Sequence, residues 1–278
     1  MAKSPSESWA KELLASPAPD RGAELTWLGQ SSYVLRAAGA TLLVDPFLTP
    51  RDDRLVPPAD RPEAFAGVDA VLVTHEHYDH FDPDACRELA KASPEALFTA
   101  PRPIIDQLTE VGIDPDRIVA MQPGDHAEVA AAGITGVPAC HGVHVSDAYT
   151  LGRELSGGAV RFLGYVIEIG GVRVYQAGDT IDFDGLAEEV RAAGVDVALL
   201  PINGRSPERE AQDIVGNLGP EDAVELAARA GATVAVPTHY DMFAANLGDV
   251  GRFTAYASDS HPELAVVVPG RMRPLTIV

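Results

Sequence analysis

From Glu24 onward, short apolar and β-branched runs alternate with polar stretches punctuated by glycine and proline, the pattern of strands bounded by turns. Strands are predicted over residues 24–28, 32–36, 41–45, 70–74, 118–121, 133–139, 161–169, 172–177, 195–201, 233–237 and 264–268. Val71-Leu72-Val73, Val197-Ala198-Leu199-Leu200 and Val234-Ala235-Val236 are unbroken apolar runs, as strands covered on both faces require. Helices fall between them. Asp82-Pro83-Asp84 offers a capping carboxylate, a proline for the first turn and a second carboxylate near the positive helix end, so a helix starts there and runs to about Lys91. Residues 103–111 and 185–193 read as two more, the latter closed by Gly194. Pro220–Ala230 carries the clearest pattern, with Val224, Leu226 and Ala227 on its inner face and Gly231 as its stop. A short helix around residues 9–14 and a proline-rich linker make up an N-terminal extension, residues 1–23.

The order is strands, then strand–helix alternation, then a second block resembling the first. Hairpins in the first third argue against a purely parallel sheet. The expectation is therefore an α/β protein with one domain over residues 24–278: two mixed sheets face to face, with helices outside. The long loops 49–62, 142–158 and 203–219 are candidate walls of a site.

Composition narrows the partners. Apolar residues make up 46% of the 278 and charged residues 22%, enough for an ordinary core. The formal net charge of −20, from 41 acidic and 21 basic side chains, disfavours nucleic acid and anionic membrane surfaces as partners. A small-molecule substrate remains the expected partner. Cys86 and Cys140 are far apart and outside any C-x-x-C spacing, which favours a reducing compartment. No basic segment followed by an apolar run opens the chain, and no stretch nears the roughly 18 apolar residues of a membrane span. The expected location is cytoplasmic.

The chemistry concentrates at predicted strand ends. Val71-Leu72-Val73-Thr74-His75-Glu76-His77-Tyr78-Asp79-His80 delivers His75, His77, Asp79 and His80 just past a buried strand. Three imidazoles and a carboxylate packed together desolvate or repel one another unless a cation neutralises them. Three further candidates occupy the same structural position: His141 in Ala139-Cys140-His141-Gly142, Asp179 in Gly178-Asp179-Thr180, and His239 in Pro237-Thr238-His239-Tyr240.

In this order of motifs, H-x-H-x-D-H, then His, then Gly-Asp-Thr, then a late His, the chain resembles the metallo-β-lactamase superfamily from Trp27 to the C-terminus. The resemblance implies a four-layer αβ/βα sandwich with two divalent metal ions at one edge. It implies that His75, His77 and His141 hold the first ion, that Asp79, His80 and His239 hold the second, and that Asp179 bridges. Asp45, in Leu43-Val44-Asp45-Pro46, matches an aspartate that orients a ligand histidine. Trp27-Leu28-Gly29-Gln30-Ser31, Leu199-Leu200-Pro201-Ile202-Asn203-Gly204-Arg205, Pro237-Thr238-His239-Tyr240-Asp241-Met242-Phe243 and the segment Gly219-Pro220-Glu221-Asp222-Ala223-Val224-Glu225-Leu226 resemble the ascorbate-6-phosphate lactonase-like branch. That branch and the exposed sheet edges imply a homo-oligomer.

The activity expected is hydrolysis by a metal-activated water, acting on a small phosphorylated sugar-acid lactone. The alternatives are a small phosphodiester as substrate, or a metal-free binding protein, against which the full ligand set argues. Di-iron redox chemistry would need a carboxylate where His77 stands. Zinc or manganese fits the histidine-rich set, with iron a further option. Asp79 or Asp179 is placed to steer the water's proton, and Tyr240 to hydrogen-bond an oxyanion. Arg205, just past a buried strand, is the candidate anion anchor, against a salt bridge to Glu208 or Glu210. Asn203 and Gln30 are further substrate-contact candidates. Cys140 should face away from His141, because adjacent strand residues point to opposite sides. His144 is a substitute ligand candidate; His126 and His261 read as surface residues.

Overall fold

The computed structural model describes residues 8–278, so residues 1–7 of the expected N-terminal extension lie outside the described residues. Helix α1 (Trp9–Ala15) is capped by the Ser8 hydroxyl and lays Ala10 and Leu13 against the body of the protein. The first half then forms β1 (Ala23–Gly29), β2 (Ser32–Ala37), β3 (Ala40–Val44), β4 (Ala70–Leu72), α2 (Pro83–Ala92), β5 (Leu97–Pro101), α3 (Ile105–Glu110) and β6 (Ile118–Met121). The second half forms β7 (His126–Val129), β8 (Ala132–Pro138), α4 (Val145–Thr150), β9 (Leu163–Ile169), β10 (Val172–Gln176), α5 (Leu186–Ala192), β11 (Val197–Pro201), α6 (Pro207–Glu210), α7 (Pro220–Ala230), β12 (Val234–Thr238), α8 (Val250–Ser260) and β13 (Ala265–Val266). The last strand, β14 (Leu275–Ile277), returns to pair antiparallel with β1.

Two seven-stranded mixed sheets result, ordered β14-β1-β2-β3-β4-β5-β6 and β13-β12-β11-β10-β9-β8-β7. Each runs antiparallel through its hairpins and parallel through its strand–helix units. Alternation along each strand explains the layering. Leu42, Val44 and Leu72 face the second sheet's Ile134, Ile167, Val174 and Leu199 in a central core. Leu43, Val71 and Phe98 point the other way, onto Cys86 and Leu89 of α2 and Leu108 of α3. Ala198 and Leu200 do the same on the far side, against α5, α7 and Phe253 of α8. Burying each such leucine, valine or phenylalanine contributes about 1.5–3 kcal/mol.

The helix ends follow their sequence signals. The Asp82 carboxylate accepts from Ala85 N at 3.0 Å, and Gly231 closes α7 with a positive φ of 76°. The predicted helix over residues 103–111 is shorter, a 3-10 turn over Arg102–Ile104 leading into α3. The structure adds β5, β7, β14 and the helices α4, α6 and α8, which the pattern did not predict. Among the described residues, no helix is long and apolar enough to cross a membrane.

Candidate metal centre

The H-x-H-x-D-H segment leaves β4 between the sheets and is tied to both. Val73 N donates to Thr99 O of the first sheet at 2.8 Å. Toward the second sheet, Leu163 N donates to Thr74 O at 3.1 Å and the Tyr165 hydroxyl donates to Val73 O at 2.7 Å. His141 follows β8, Asp179 follows β10 and His239 follows β12. All seven predicted donors therefore meet where the two sheets abut. Three groups have ligand atoms within 4.8 Å of one another: His75, His77 and His141; His75, His80 and Asp179; and Asp79, His80 and His239. The carboxylate of Asp179 lies centrally, with Oδ1 3.2 Å from His80 Nε2 and Oδ2 3.3 Å from His239 Nε2 and 3.6 Å from His141 Nε2.

The backbone is bent to deliver them. His239 (φ 56°), Asp45 (φ 43°) and Gln30 (φ 53°) all adopt left-handed conformations that cost an ordinary side chain strain. Gly178 (φ 61°) permits the turn before Asp179, where a Cβ would stand 2.8 Å from Leu163 O and 2.9 Å from Thr74 Cβ.

Neighbouring groups hold the donors in place. Asp45 Oδ2 lies 2.7 Å from His80 Nδ1 and also accepts from the Thr74 hydroxyl at 2.8 Å, while Asp45 Oδ1 accepts from Thr74 N. His80 therefore carries its proton on Nδ1 and turns Nε2 toward Asp179. Gln30 Nε2 donates to Asp79 Oδ2 at 2.7 Å and lies 2.9 Å from His239 Nε2. The His239 amide in turn donates to Gln30 O. Gln30 thus braces Asp79 through its side-chain amide and His239 through its backbone carbonyl.

Electrostatics divides the imidazoles into two kinds. Burial, with His80 and His77 nearby, holds His75 well below its ordinary pKa; burial likewise pushes His141 down to about 3. Both are neutral and ready to donate a lone pair. Burial also opposes charge on His239, but Asp179 and Asp79 outweigh it and raise it to about 9. For His80, burial is overcome by Asp179, Asp45 and Asp79, and the pKa stands well above the usual value. Burial works against ionised Asp179 and Asp79, yet these same histidines hold both carboxyls below the carboxylate range. Protons on His80 and His239 thus occupy the role a metal cation would take over.

The donor set fits divalent metals. His80 Nε2 and Asp179 Oδ1 are buried and make no hydrogen bond, though only 3.2 Å apart. His141 Nδ1 and His239 Nδ1 are likewise buried without a partner. A cation between His80 Nε2 and Asp179 Oδ1 would satisfy both at once, whereas the two Nδ1 atoms lie on ring edges away from the Nε2 atoms that face Asp179.

A cleft of about 590 Å³ opens onto His77, Asp79, His141, Asp179 and His239. Its walls come from Tyr78 and Phe243 and from Asn203, Arg209 of α6 and Asn217. Asn203 is on this wall. Arg205 is not: its guanidinium bonds Glu210 Oε1 at 2.6 Å and the Tyr149 hydroxyl at 3.2 Å. Tyr240 stacks on Trp27 at 5.0 Å between centroids and is likewise off the cleft. His144 lies 2.5 Å from Asp213 and belongs to none of the donor groups. His126 pairs with Glu128, and His261 with Glu225. Burial pushes the Cys140 thiol up to about 12, so it stays a neutral packing group. The sequence reading missed Thr74, Gly178 and Arg209. Thr74 directly precedes the motif and was open to detection; Arg209 lies in an exposed-looking P-E-R-E stretch that gave no signal.

Two facing mixed sheets, helices outside and a histidine–aspartate cluster at their common edge define a protein of the metallo-β-lactamase type. A family model described as the beta-lactamase superfamily domain matches residues 40–240, and the chain belongs to that superfamily, within it to the UPF0173 metal-dependent hydrolase family. A metal-dependent hydrolase of Aeropyrum pernix is 30% identical over 240 residues, covering 83% of this chain and 88% of its own. One from Methanoculleus marisnigri is 33% identical over 221 residues, covering 80% and 82%. Among solved structures, the metallo hydrolase Igni18 of Ignicoccus hospitalis superposes with a TM-score of 0.70 at 24% identity, covering 92% of this chain and 98% of that one. An isothiocyanate hydrolase from Delia radicum gut bacteria gives 0.71 at 19%, covering 91% and 98%. The likeness to these structures is one of fold. The protein is a metal-dependent hydrolase.

Proposed function

We propose that this hydrolase binds two divalent ions and opens a small lactone, a phosphorylated sugar-acid lactone being the substrate class that suits the cleft. Zinc or manganese, with iron a further option, would supply Lewis acidity and lower the pKa of a shared water from about 15.7 to about 7. His75, His77 and His141 would hold one ion and Asp79, His80 and His239 the other, with Asp179 between them. The observation that carries this reading is the pair His80 Nε2 and Asp179 Oδ1, buried, 3.2 Å apart and without a hydrogen bond.

The chain's own residues then divide the work. Asp79, held by Gln30 and open to the cleft, would take a proton from the attacking water as its oxygen bonds the lactone carbonyl, and return it to the alkoxide released when the ring C–O bond breaks. Asp179 keeps the three histidines around it in register. Asn203 and its amide neighbours on the wall offer hydrogen bonds to substrate hydroxyls. A cavity of this size holds a ligand of sugar-acid dimensions.

The test compares manganese- and zinc-loaded protein on a phosphorylated sugar lactone and on an activated phosphodiester, with H77A as control. Lactone turnover that H77A loses supports the reading. Turnover of the diester alone sinks the lactone and leaves a phosphodiesterase.

A further inference from the structure

Three charged side chains other than the metal-site donors line the cleft: Glu76, Arg209 and Asp213. Glu76 is paired with Arg161. Asp213 accepts from Val145 N at 2.8 Å and contacts His144 Nδ1 at 2.5 Å. Arg209 differs. Its Nη1 donates to Gly204 O at 3.2 Å and its Nη2 to Asn246 Oδ1 at 3.1 Å, both neutral acceptors. Among the described residues no carboxylate pairs with it, in a chain with twice as many acidic as basic side chains.

The amide groups beside it have a fixed direction. A guanidinium only donates, so Asn246 must turn its oxygen to Arg209. The same oxygen accepts from Asn203 Nδ2 at 2.6 Å, and Asn203 Oδ1 accepts from Asn217 Nδ2 at 2.9 Å. This chain and the Gly204 carbonyl hold the half-buried guanidinium still while engaging two of its five N–H groups. The others, and the amino group of Asn246, remain for a ligand.

We propose that Arg209 anchors an anionic end group of the substrate, a phosphate or a carboxylate, on the wall of the cleft that exposes Asp79 and Asp179. The inference deepens the lactone reading and rests on it only for the reacting end of the substrate. A rigid fork of donors matches two anionic oxygens, and partial burial strengthens the contact beyond what a solvated arginine gives. Arg205, four residues earlier, is exposed and bound to Glu210.

The experiment is calorimetric binding of gluconate, 6-phosphogluconate and glucarate to the manganese-loaded full chain, in wild type, R209M, R209K and R205M. These ligands share one carboxylate end and differ at the other: neutral, phosphate or carboxylate. Wild type is expected to bind one of the two doubly anionic ligands about 10- to 100-fold tighter than gluconate, and which one it prefers identifies the end group. R209M should bind all three alike, while R209K keeps part of the preference. Metal stoichiometry and melting temperature should match wild type in R209K, which separates anchoring from loop support. A preference that survives in R209M, is lost in R205M instead, or is missing from wild type overturns the proposal. A preference lost in R209M without any lactone turnover removes the lactone reading and leaves the anchor standing.

Discussion

Asp45 Oδ2 lies 2.7 Å from His80 Nδ1 in a site where both side chains are fully buried, and this contact fixes which nitrogen of His80 faces Asp179. Asn in place of Asp45 has one acceptor oxygen for donors on two sides, so its amide N–H must meet either His80 Nδ1–H or Thr74 N–H. D45N should keep the fold and lose about 10- to 100-fold in metal affinity, read by chelator competition. Undiminished affinity would mean that the aspartate serves only the Thr74 turn.

Metal loading should release protons. His239, raised to about 9 by Asp179 and Asp79 against its burial, is protonated at pH 7 in the metal-free protein. Its raised pKa contributes stability fully present below the unfolded value of about 6.5 and lost as pH climbs through about 9. The melting temperature of metal-free protein should therefore fall between pH 7 and 9, and metal affinity should rise over the same window. Calorimetry in two buffers of different ionisation enthalpy measures the protons; identical heats in both would rule the exchange out.

Gly178 and Gly171 make a matched pair. Both have positive φ, 61° and 81°, but a Cβ at Gly171 meets nothing within 4 Å, whereas one at Gly178 collides with Leu163 O and Thr74. G171A should cost about 1 kcal/mol of backbone strain alone, by denaturant midpoint. G178A should cost more, about 2–4 kcal/mol, and lower metal occupancy as well. Equal costs for the two would show that the turn relaxes freely.

Tyr165→Phe removes the hydroxyl that reaches from β9 to Val73 O. The buried carbonyl is left unsatisfied, at about 1–3 kcal/mol. We expect that loss in chemical denaturation, together with faster metal release, because His75 lies two residues further along. A stability loss with unchanged release would confine Tyr165 to packing.

How much was readable depended on whether a residue's role is set locally. The buried strands around Val71, Leu199 and Val236 were visible because double burial leaves an unbroken apolar run. The seven donors were visible because each group of them follows a predicted strand. β5 (Leu97–Pro101) was not, since Ala100 and Pro101 dilute the short strand signal of Phe98 and Thr99 and pairing with β4 and β6 decides it. β7 is an edge strand of four residues, too short for the alternation of exposed His126 and Glu128 with Ala127 and Val129 to stand out. In α8, Gly251, Thr254 and the serines dilute helix propensity, and Phe253 packing against α7 and its neighbours decides instead. Tyr240 adjoins a donor in sequence, but the left-handed backbone at His239 sends it onto Trp27. Arg209 and Arg205 look interchangeable in sequence. The contacts tell them apart: Glu210 pairs with Arg205, while the chain of amides from Asn217 to Asn246, which spans distant segments, meets Arg209.

The donors are drawn unequally from the two halves of the molecule: four follow a strand of the first sheet and three follow strands of the second. Neither leaf alone can complete any arrangement that needs His141, Asp179 or His239 alongside the H-x-H-x-D-H segment. The centre is therefore a seam closure, complete only when both leaves have met. An ion seated there would act as a rivet between them. A chain arrested halfway through folding would carry histidines but no reactive centre, which couples hydrolytic competence to finished assembly.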